Sequence, residues 1–292
     1  MSNTAFILDF DGTITHSDTI SLLAKFGIST QKSQTGKDMT NELRLLSYTY
    51  SEFYSRSLHG YRPAEIDRKS LAEEITFQRY LRGVELPSFK RVGESGIFKG
   101  IKNEQWREFA GDALEKGDLS IRAGFKDFVK QVEGRDGIWG VVSVNFSEIF
   151  IRGVLEASAS AGTLNVDILA NHPNDDGMIS GPDSGPIMAT SDAKLAAMNK
   201  LWQKWRATSR VPFLRVVYFG DSGTDIECLT AEGVTGIVMS SDGQGRLIEA
   251  LKRIGRVPVH VSSSQEVETS PLYWARNFQE VIGSPMLGLE AS

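Results

Sequence analysis

The chain has 292 residues, 40% of them hydrophobic, which is enough to bury a substantial core in one large domain or two smaller ones. Its 32 basic and 37 acidic residues leave a net charge of −5, so there is no broad basic field of the kind that attracts nucleic acid. The single cysteine, Cys228, cannot form an internal disulfide, no Cys/His spacing reads as a zinc site, and no apolar run is long enough to span a bilayer. Near the start, only "AFIL" precedes Asp9, far short of a signal-peptide core. These features predict a cytoplasmic protein with no membrane partner.

In chain order, the first apolar run is "TAFIL" at 4 to 8, ending in "DFDGTIT". From about 17 to 118 the pattern is helical with hardly any strand signal. Met39, Leu43, Leu46, Tyr50, Phe53 and Leu58 recur at spacings of three to five and predict one apolar helix face. Pro63 is placed to open a second helix with Ile66 and Ile75 inward, and "NEQWREFAGDALEKG" at 103 to 117 reads as a third, ending at Gly117.

Beyond 118, apolar β-branched runs alternate with amphipathic stretches, the rhythm of a parallel sheet covered by helices. The strands expected are "GIWGVVSV" (137 to 144), "VDILAN" (166 to 171), "RVVYFG" (215 to 220) and "GIVMS" (236 to 240). Helices are expected around 124 to 132, 147 to 159, 191 to 205, 224 to 232 and 245 to 254. A linker, "VSSSQEVETSP" at 261 to 271, then precedes a last helix containing "LYWARNFQEVI".

In an open parallel sheet a ligand lies beyond the carboxyl ends of the strands, which singles out the polar residues ending the apolar runs: Asp9, Ser143 and Asp221. Asp9 and Asp11 are two apart on an extended segment, so both carboxylates project to the same side, about 6–7 Å apart. At an effective dielectric near 20 they repel by roughly 2–3 kcal/mol. Asp221 and Asp225 of "GDSGTD" add to the strain if they converge there. Either one carboxyl keeps its proton, or a hard cation such as Mg²⁺ is bound by the oxygen cluster.

"DFDGTIT", a serine after an apolar strand, a lysine in "TSDAKLAAM", and "GDSGTD", in that order, resemble the four motifs of the haloacid dehalogenase-like superfamily in its phosphatase branch. The form "DFDGTIT" is particularly similar to the phosphoserine phosphatase-like group. The resemblance implies a Rossmann-like α/β core, residues 1–16 and 119–292, with an α-helical cap inserted at 17–118 after the first strand, as in subfamily I. It also implies a Mg²⁺-dependent phosphatase acting on a small phosphorylated metabolite through an aspartyl-phosphate. Asp9 would be the nucleophile and Asp11 the general acid and base. Gly12, Ser143, Asn145 and Lys194 would hold the phosphoryl group, and Asp9, Asp11 (through its main-chain carbonyl), Asp221 and Asp225 the metal, with Asp225 either ligating through water or orienting Lys194.

The second motif reads "SVN" where many members have a glycine two residues after the serine, which leaves the part of Asn145 open. Lys126 and Lys130 compete with Lys194, but Lys194 lies between the second and fourth motifs. A phosphomutase or a catalytically silent binding domain would keep the same residues. A dehalogenase fits less well, because its chemistry needs neither the general acid nor the metal. "QTGKDMT" at 34 to 40 fails as a phosphate-binding loop, with Gln31 at the leading glycine position and Asp38 after the lysine. No G-x-S-x-G surrounds Ser143, and His16, His59, His172 and His260 show no ligand spacing. In the insert, Arg79, Arg82, Lys90 and Arg91 are the cations placed to meet an anionic part of a substrate. Neither the substrate nor the oligomeric state is readable from the sequence.

Overall fold

The computed structural model describes residues 4–135, 137–158, 166–208, 215–263 and 272–284. Strand β1 (Thr4–Leu8) is followed by five helices, α1 (Ile20–Thr35), α2 (Thr40–Gly60), α3 (Leu71–Tyr80), α4 (Arg82–Ser95) and α5 (Asn103–Glu115). Then come α6 (Phe125–Glu133), β2 (Ile138–Val142), α7 (Glu148–Ser158), β3 (Asp167–Leu169) and a small hairpin of β4 (His172–Pro173) and β5 (Ile179–Ser180). The remainder is α8 (Ser191–Thr208), β6 (Arg215–Gly220), α9 (Ile226–Leu229), β7 (Val234–Met239), α10 (Arg246–Arg253), β8 (Val259–His260), β9 (Leu272–Ala275) and α11 (Phe278–Ile282).

Seven strands form one sheet in the order β3-β2-β1-β6-β7-β9-β8, with every pairing parallel. Period-two alternation sorts the side chains of each central strand onto opposite faces. Phe6 and Leu8, Val217 and Phe219 join one apolar cluster, while Ala5 and Ile7, Val216 and Tyr218 join the other. Helices α6, α7 and α11 cover the first face and α8, α9 and α10 the second, which is why the strands read as continuous apolar runs. The chain leaves β1 toward β2 on one side and returns to β6 on the other, so the switch point of the sheet lies between β1 and β6.

The five helices between β1 and α6 match the helical rhythm expected for 17 to 118, but details differ. Only the N-terminal part of the α2 face finds cover: Met39 is buried and Leu43 packs on the core, whereas Phe53 and Leu58 are exposed. Pro63 does not open a helix. The start is set seven residues later by Ser70, whose hydroxyl accepts from Glu73 N while the Glu73 carboxylate accepts from Ser70 N, a reciprocal cap. Ile66, expected inward, is 72% exposed, while Ile75 packs on the second core face. Helix α5 runs against α7, where a Cβ at Gly153 would lie 2.9 Å from Ala110 Cβ.

The segment "LYWARNFQEVI" is corrected. Leu272 to Ala275 extend as β9 between β7 and β8, with Leu272 and Ala275 buried, and α11 begins after Asn277, whose side chain accepts from Glu280 N at 3.1 Å. A short apolar run of this kind is ambiguous between strand and helix until a neighbour pairs with it. The expected linker before it lies outside the described residues from 264 to 271. No helix among the described residues is long and apolar enough to cross a membrane.

Candidate active site

At the carboxyl end of β1 the chain makes a tight loop: Thr13, Ile14 and Thr15 all donate their amides to the Phe10 carbonyl, at 3.3, 2.9 and 3.0 Å. Gly12 takes φ +67, and a Cβ there would lie 2.1 Å from Asp221 Oδ2, so only glycine lets the loop approach β6 so closely. Arg122 secures the loop from behind, donating to the carbonyls of Gly12 (2.5 Å), Thr13 (3.1 Å) and Arg276 (2.7 Å).

Asp9, nearly fully buried, accepts from Phe10 N at 2.7 Å and pairs with Lys194 Nζ at 2.9 Å. Lys194, fully buried on the first turns of α8, also reaches Asp225 Oδ1 at 2.6 Å. Asp225 is saturated: Tyr218 donates its hydroxyl to Oδ1 at 2.7 Å, and Oδ2 accepts from Asp221 N, Ser222 N and Ser222 Oγ at 3.0–3.1 Å. Among the described residues, the Asp221 carboxylate keeps only a 3.4 Å hydrogen bond from Thr13 Oγ1. One oxygen from each of Asp9, Asp221 and Asp225 lies within 4.8 Å of the others.

Electrostatics follows from this crowding. Burial, reinforced by Asp225 and Asp11 and opposed by Lys194, lifts the Asp9 carboxyl to about 7. Burial and the charges of Asp9 and Asp225 hold Asp221 well above the usual carboxylate range. Burial alone would lower Lys194, yet the carboxylates of Asp225 and Asp9 hold its ammonium above its ordinary value. The donor set suits a hard divalent cation: oxygen ligands only, more carboxylates than one lysine neutralises, and in Asp221 a side chain with few competing partners. Asp225 has both oxygens engaged, Oδ1 by Tyr218 and Lys194 and Oδ2 by the Asp221 and Ser222 amides and the Ser222 hydroxyl.

Asp11 turns the other way, toward α1. Its Oδ1 accepts from Thr19 N (2.9 Å) and Thr19 Oγ1 (2.6 Å), and its Oδ2 from Asn145 Nδ2 (2.7 Å). Burial, with the charge of Asp18 adding to it, raises Asp11 to about 6 against these hydrogen bonds. The side chain of Asp11 therefore stands apart from the three-carboxylate cluster. The side-chain amide of Asn145, expected among the phosphate-binding residues, donates to Asp11 Oδ2 at 2.7 Å and to Thr19 Oγ1 at 2.9 Å, because the loop after β2 packs directly on the start of α1. Its main-chain amide donates to Ser143 Oγ at 3.3 Å. Ser143 is fully buried at the end of β2.

Four residues of this neighbourhood were not singled out from the sequence. Thr19 and Arg122 sit on the two crossings between the helical insert and the sheet, where no motif marks them. Tyr218 is the one hydroxyl in an otherwise apolar strand, a signal that was present. Asn171 ends the β3 run and donates to the carbonyls of Val144 (3.1 Å), Asn145 (3.1 Å) and Met188 (2.9 Å), pinning the second-motif loop. The rule that picked out Asp9 and Asp221 at strand ends would have found it.

Of the cations expected to meet an anionic substrate, two are held in close ion pairs, while Lys90 is exposed and two buried guanidinium nitrogens of Arg91 have no hydrogen-bond partner among the described residues. Arg79 Nε donates to Glu227 at 2.9 Å, Arg82 pairs with Asp192, Lys90 lies 3.6 Å from Glu94, and the Arg91 guanidinium lies over the Phe53 ring at 5.6 Å.

No family model matches the chain. It is similar to cold tolerance protein 1 of Saccharomyces cerevisiae, 25% identical over 92% of this chain and 90% of the yeast protein. It is also similar to the mitochondrial bifunctional TH2 protein of Arabidopsis thaliana, 28% identical over 86% of this chain but only 42% of the plant protein. Among solved structures, a HAD-family hydrolase of Salmonella enterica serovar Typhi superposes with a TM-score of 0.50 at 13% identity, covering 100% of this chain and 73% of the other. The seven-stranded parallel sheet, its strand order and its helical cover are therefore the fold of the haloacid dehalogenase-like hydrolases.

Proposed function

We propose that the chain is a phosphoric monoester hydrolase working through an aspartyl-phosphate on Asp9. The observation that carries this reading is the separation of two carboxyl groups by environment. Asp9 sits among Lys194, Asp221 and Asp225, where a cation is needed, while Asp11 sits two residues on, held by Thr19 and Asn145. Two carboxyl groups so divided suit two roles.

Asp9 and Asp221 would hold Mg²⁺ through their side chains and Asp11 through its main-chain carbonyl, with Asp225 acting behind them. Bound there, the ion supplies positive charge that offsets the carboxylates and the phosphoryl oxygens. An ionised Asp9 oxygen attacks phosphorus, the bond to the ester oxygen breaks, and protonated Asp11 gives its proton to the departing alkoxide. Asp11, now a carboxylate, takes a proton from water, whose oxygen attacks the same phosphorus and releases Asp9 and inorganic phosphate. Lys194, Ser143 Oγ and the main-chain amides of the first- and second-motif loops would hold the phosphoryl oxygens. Thr19 and Asn145 fix the Asp11 carboxyl toward the leaving group.

The helices of residues 17–118 would form the cap, with crossings at 14 to 20 and 117 to 124. The two crossings lie side by side: Thr15 pairs with Ile121, His16 N donates to Ser120 O at 3.0 Å and Arg122 N to Ile14 O at 2.8 Å. A lid joined through one short ladder excludes water from the aspartyl-phosphate when shut.

The test is hydrolysis of a generic aryl phosphate with Mg²⁺ and with EDTA. Turnover that EDTA abolishes and added Mg²⁺ restores is expected. Equal rates in both would remove the metal from the reading, and no turnover on any phosphoester would leave a binding domain.

A further inference from the structure

A cavity of 320 Å³ lies between α1, α2 and α4, in the size range of small-molecule sites. Its walls are apolar and aromatic, with Phe89, Phe98, Phe146 and Tyr50 among them, and its polar groups include two carboxylates, Asp18 and Glu85. No lysine, arginine or histidine lines it, and neither carboxylate has an ion-pair partner among the described residues. Asp18 Oδ1 accepts from Ile20 N at 2.7 Å, and Glu85 Oε1 accepts from the Tyr50 hydroxyl at 2.9 Å, so each keeps a second oxygen free of any such bond. Arg91, on α4, lies over Phe53 and is not among the residues lining the cavity.

The cavity adjoins the leaving-group side of the candidate active site. Asp18 and Phe146 are the chain neighbours of Thr19 and Asn145, the two residues whose donors hold Asp11. A group leaving past Asp11 would enter it.

From this placement we propose that the cavity binds the organic part of a phosphomonoester whose leaving alcohol is an apolar or aromatic cation. This rests on the hydrolase reading above for the position of the phosphate. The rings offer flat apolar area and π-faces to a cation, and the two carboxylates supply the countercharge that the walls otherwise lack. An anionic leaving group would meet two like charges and no cation. A neutral polyol would supply no countercharge to either carboxylate and would cover the half-buried Glu85. Burial, opposed by the Tyr50 hydrogen bond, holds Glu85 above its ordinary range, and burial likewise raises Asp18 although its outer side keeps contact with solvent. Both shifts mark carboxylates that would gain from a cation beside them.

The experiment is calorimetric binding of three alcohols to the full chain: 4-(trimethylammonio)benzyl alcohol, benzyl alcohol and 4-carboxybenzyl alcohol, followed by turnover of their phosphate esters. The cation is expected to bind at least tenfold more tightly than the neutral alcohol, with the carboxylate weakest. In Glu85→Gln and Asp18→Asn the ratio of cation to neutral affinity should fall several-fold, and in the double variant it should approach 1. Retained binding of benzyl alcohol shows that the variants have kept the pocket. Equal affinities, preference for the carboxylate, or a cation preference that survives the double substitution would overturn the inference. Binding of the cation without turnover of its ester would count against the hydrolase reading alone, since the alcohols carry no phosphate.

Discussion

Lys194 is the residue on which the geometry of the site turns. Its ammonium bridges Asp9 and Asp225 inside the protein, where an ion pair is kept only if its partners are fully engaged. Lys194→Met leaves two carboxylates buried without their counter-ion, and a stability loss of about 3–5 kcal/mol is expected by chemical denaturation. Asp9→Asn should instead leave the protein folded and reduce turnover by about 10⁴-fold or more, as expected for loss of a nucleophile. Residual activity within tenfold of the parent would assign the attack to another group. Both residues were legible in the sequence because motif spacing carries them. Thr19 and Arg122 were not, because their importance lies in which loop they meet across the fold, and spacing along the chain does not encode that.

Among the elements, α3 and α4 are tied to the sheet side by ion pairs across to α8 and α9. Arg79 bonds Glu227, which also accepts from Ser191 Oγ at 2.8 Å, and Arg82 pairs with Asp192, two residues before Lys194. Arg253 of α10 holds Glu74 of α3 at 2.7 Å, and Glu74 also pairs with Arg68 at 2.8 Å. These pairs tie α3 and α4 of the insert to α8, α9 and α10. The arginine ends of the Arg79 and Arg82 pairs are half exposed, so each should contribute no more than about 1 kcal/mol, and less at high salt. Arg79→Ala with Arg82→Ala should raise KM several-fold for a natural-sized substrate while leaving kcat for a small aryl phosphate within about twofold. An unchanged KM would mean that the closed state does not depend on these pairs.

His172 of β4 gives the elements a pH signature. It meets Ser147 Oγ at 3.1 Å and Asn103 Oδ1 at 3.3 Å, joining the hairpin to α5 and α7, and burial lowers it from 6.5 to about 4. The unfolded chain takes up its proton below 6.5 while the folded one resists until about 4, so this residue's contribution is present above 6.5 and is eroded as pH falls toward 4. The effect is on the order of 1 kcal/mol, because the ring is only partly enclosed. Stability measured from pH 7.5 to 4.5 should fall more steeply in the parent than in His172→Gln. Parallel curves would show that the imidazole is as easily protonated folded as unfolded.

At the scale of the whole molecule, the sheet and its helices were legible because both sheet faces are covered, which writes each central strand as an apolar run ending at a polar residue. The edges were not. β8 is two residues long, and β9 is a four-residue stretch whose sequence suits a helix equally well, so only pairing decides its form. The insert was legible as helical but not in its packing. One apolar cluster runs from Phe6 and Leu8 through Leu23, Phe89, Phe98 and Trp106, so the insert shares its core with one sheet face. Phe53 and Leu58 keep helical spacing while lying exposed, and their periodicity says nothing of what would cover them.

The acidic cluster also sets a property of the whole fold. With Asp9 held above its ordinary range by burial and the charges of Asp225 and Asp11, and Asp221 by burial and the charges of Asp9 and Asp225, a divalent ion that binds the folded state alone should stabilise it measurably. At a concentration about 100-fold over its dissociation constant the gain is roughly 2.7 kcal/mol. That corresponds to a rise in Tm of several degrees for a chain of this size. Ca²⁺ or Mg²⁺ should give the rise in the parent and lose most of it in Asp221→Asn; a Tm indifferent to either ion would rule out the cluster as a cation site.

The proposed phosphoryl transfer through Asp9 is tested most directly by a crystal grown with Mg²⁺ and beryllofluoride. The adduct is expected on an Asp9 carboxylate oxygen, with Lys194 and Ser143 against its fluorides, the metal between Asp9 and Asp221, and the Asp11 carboxyl facing it from the cavity side. Beryllofluoride on any other side chain, or a fully occupied metal with Asp9 left unmodified, would contradict the account.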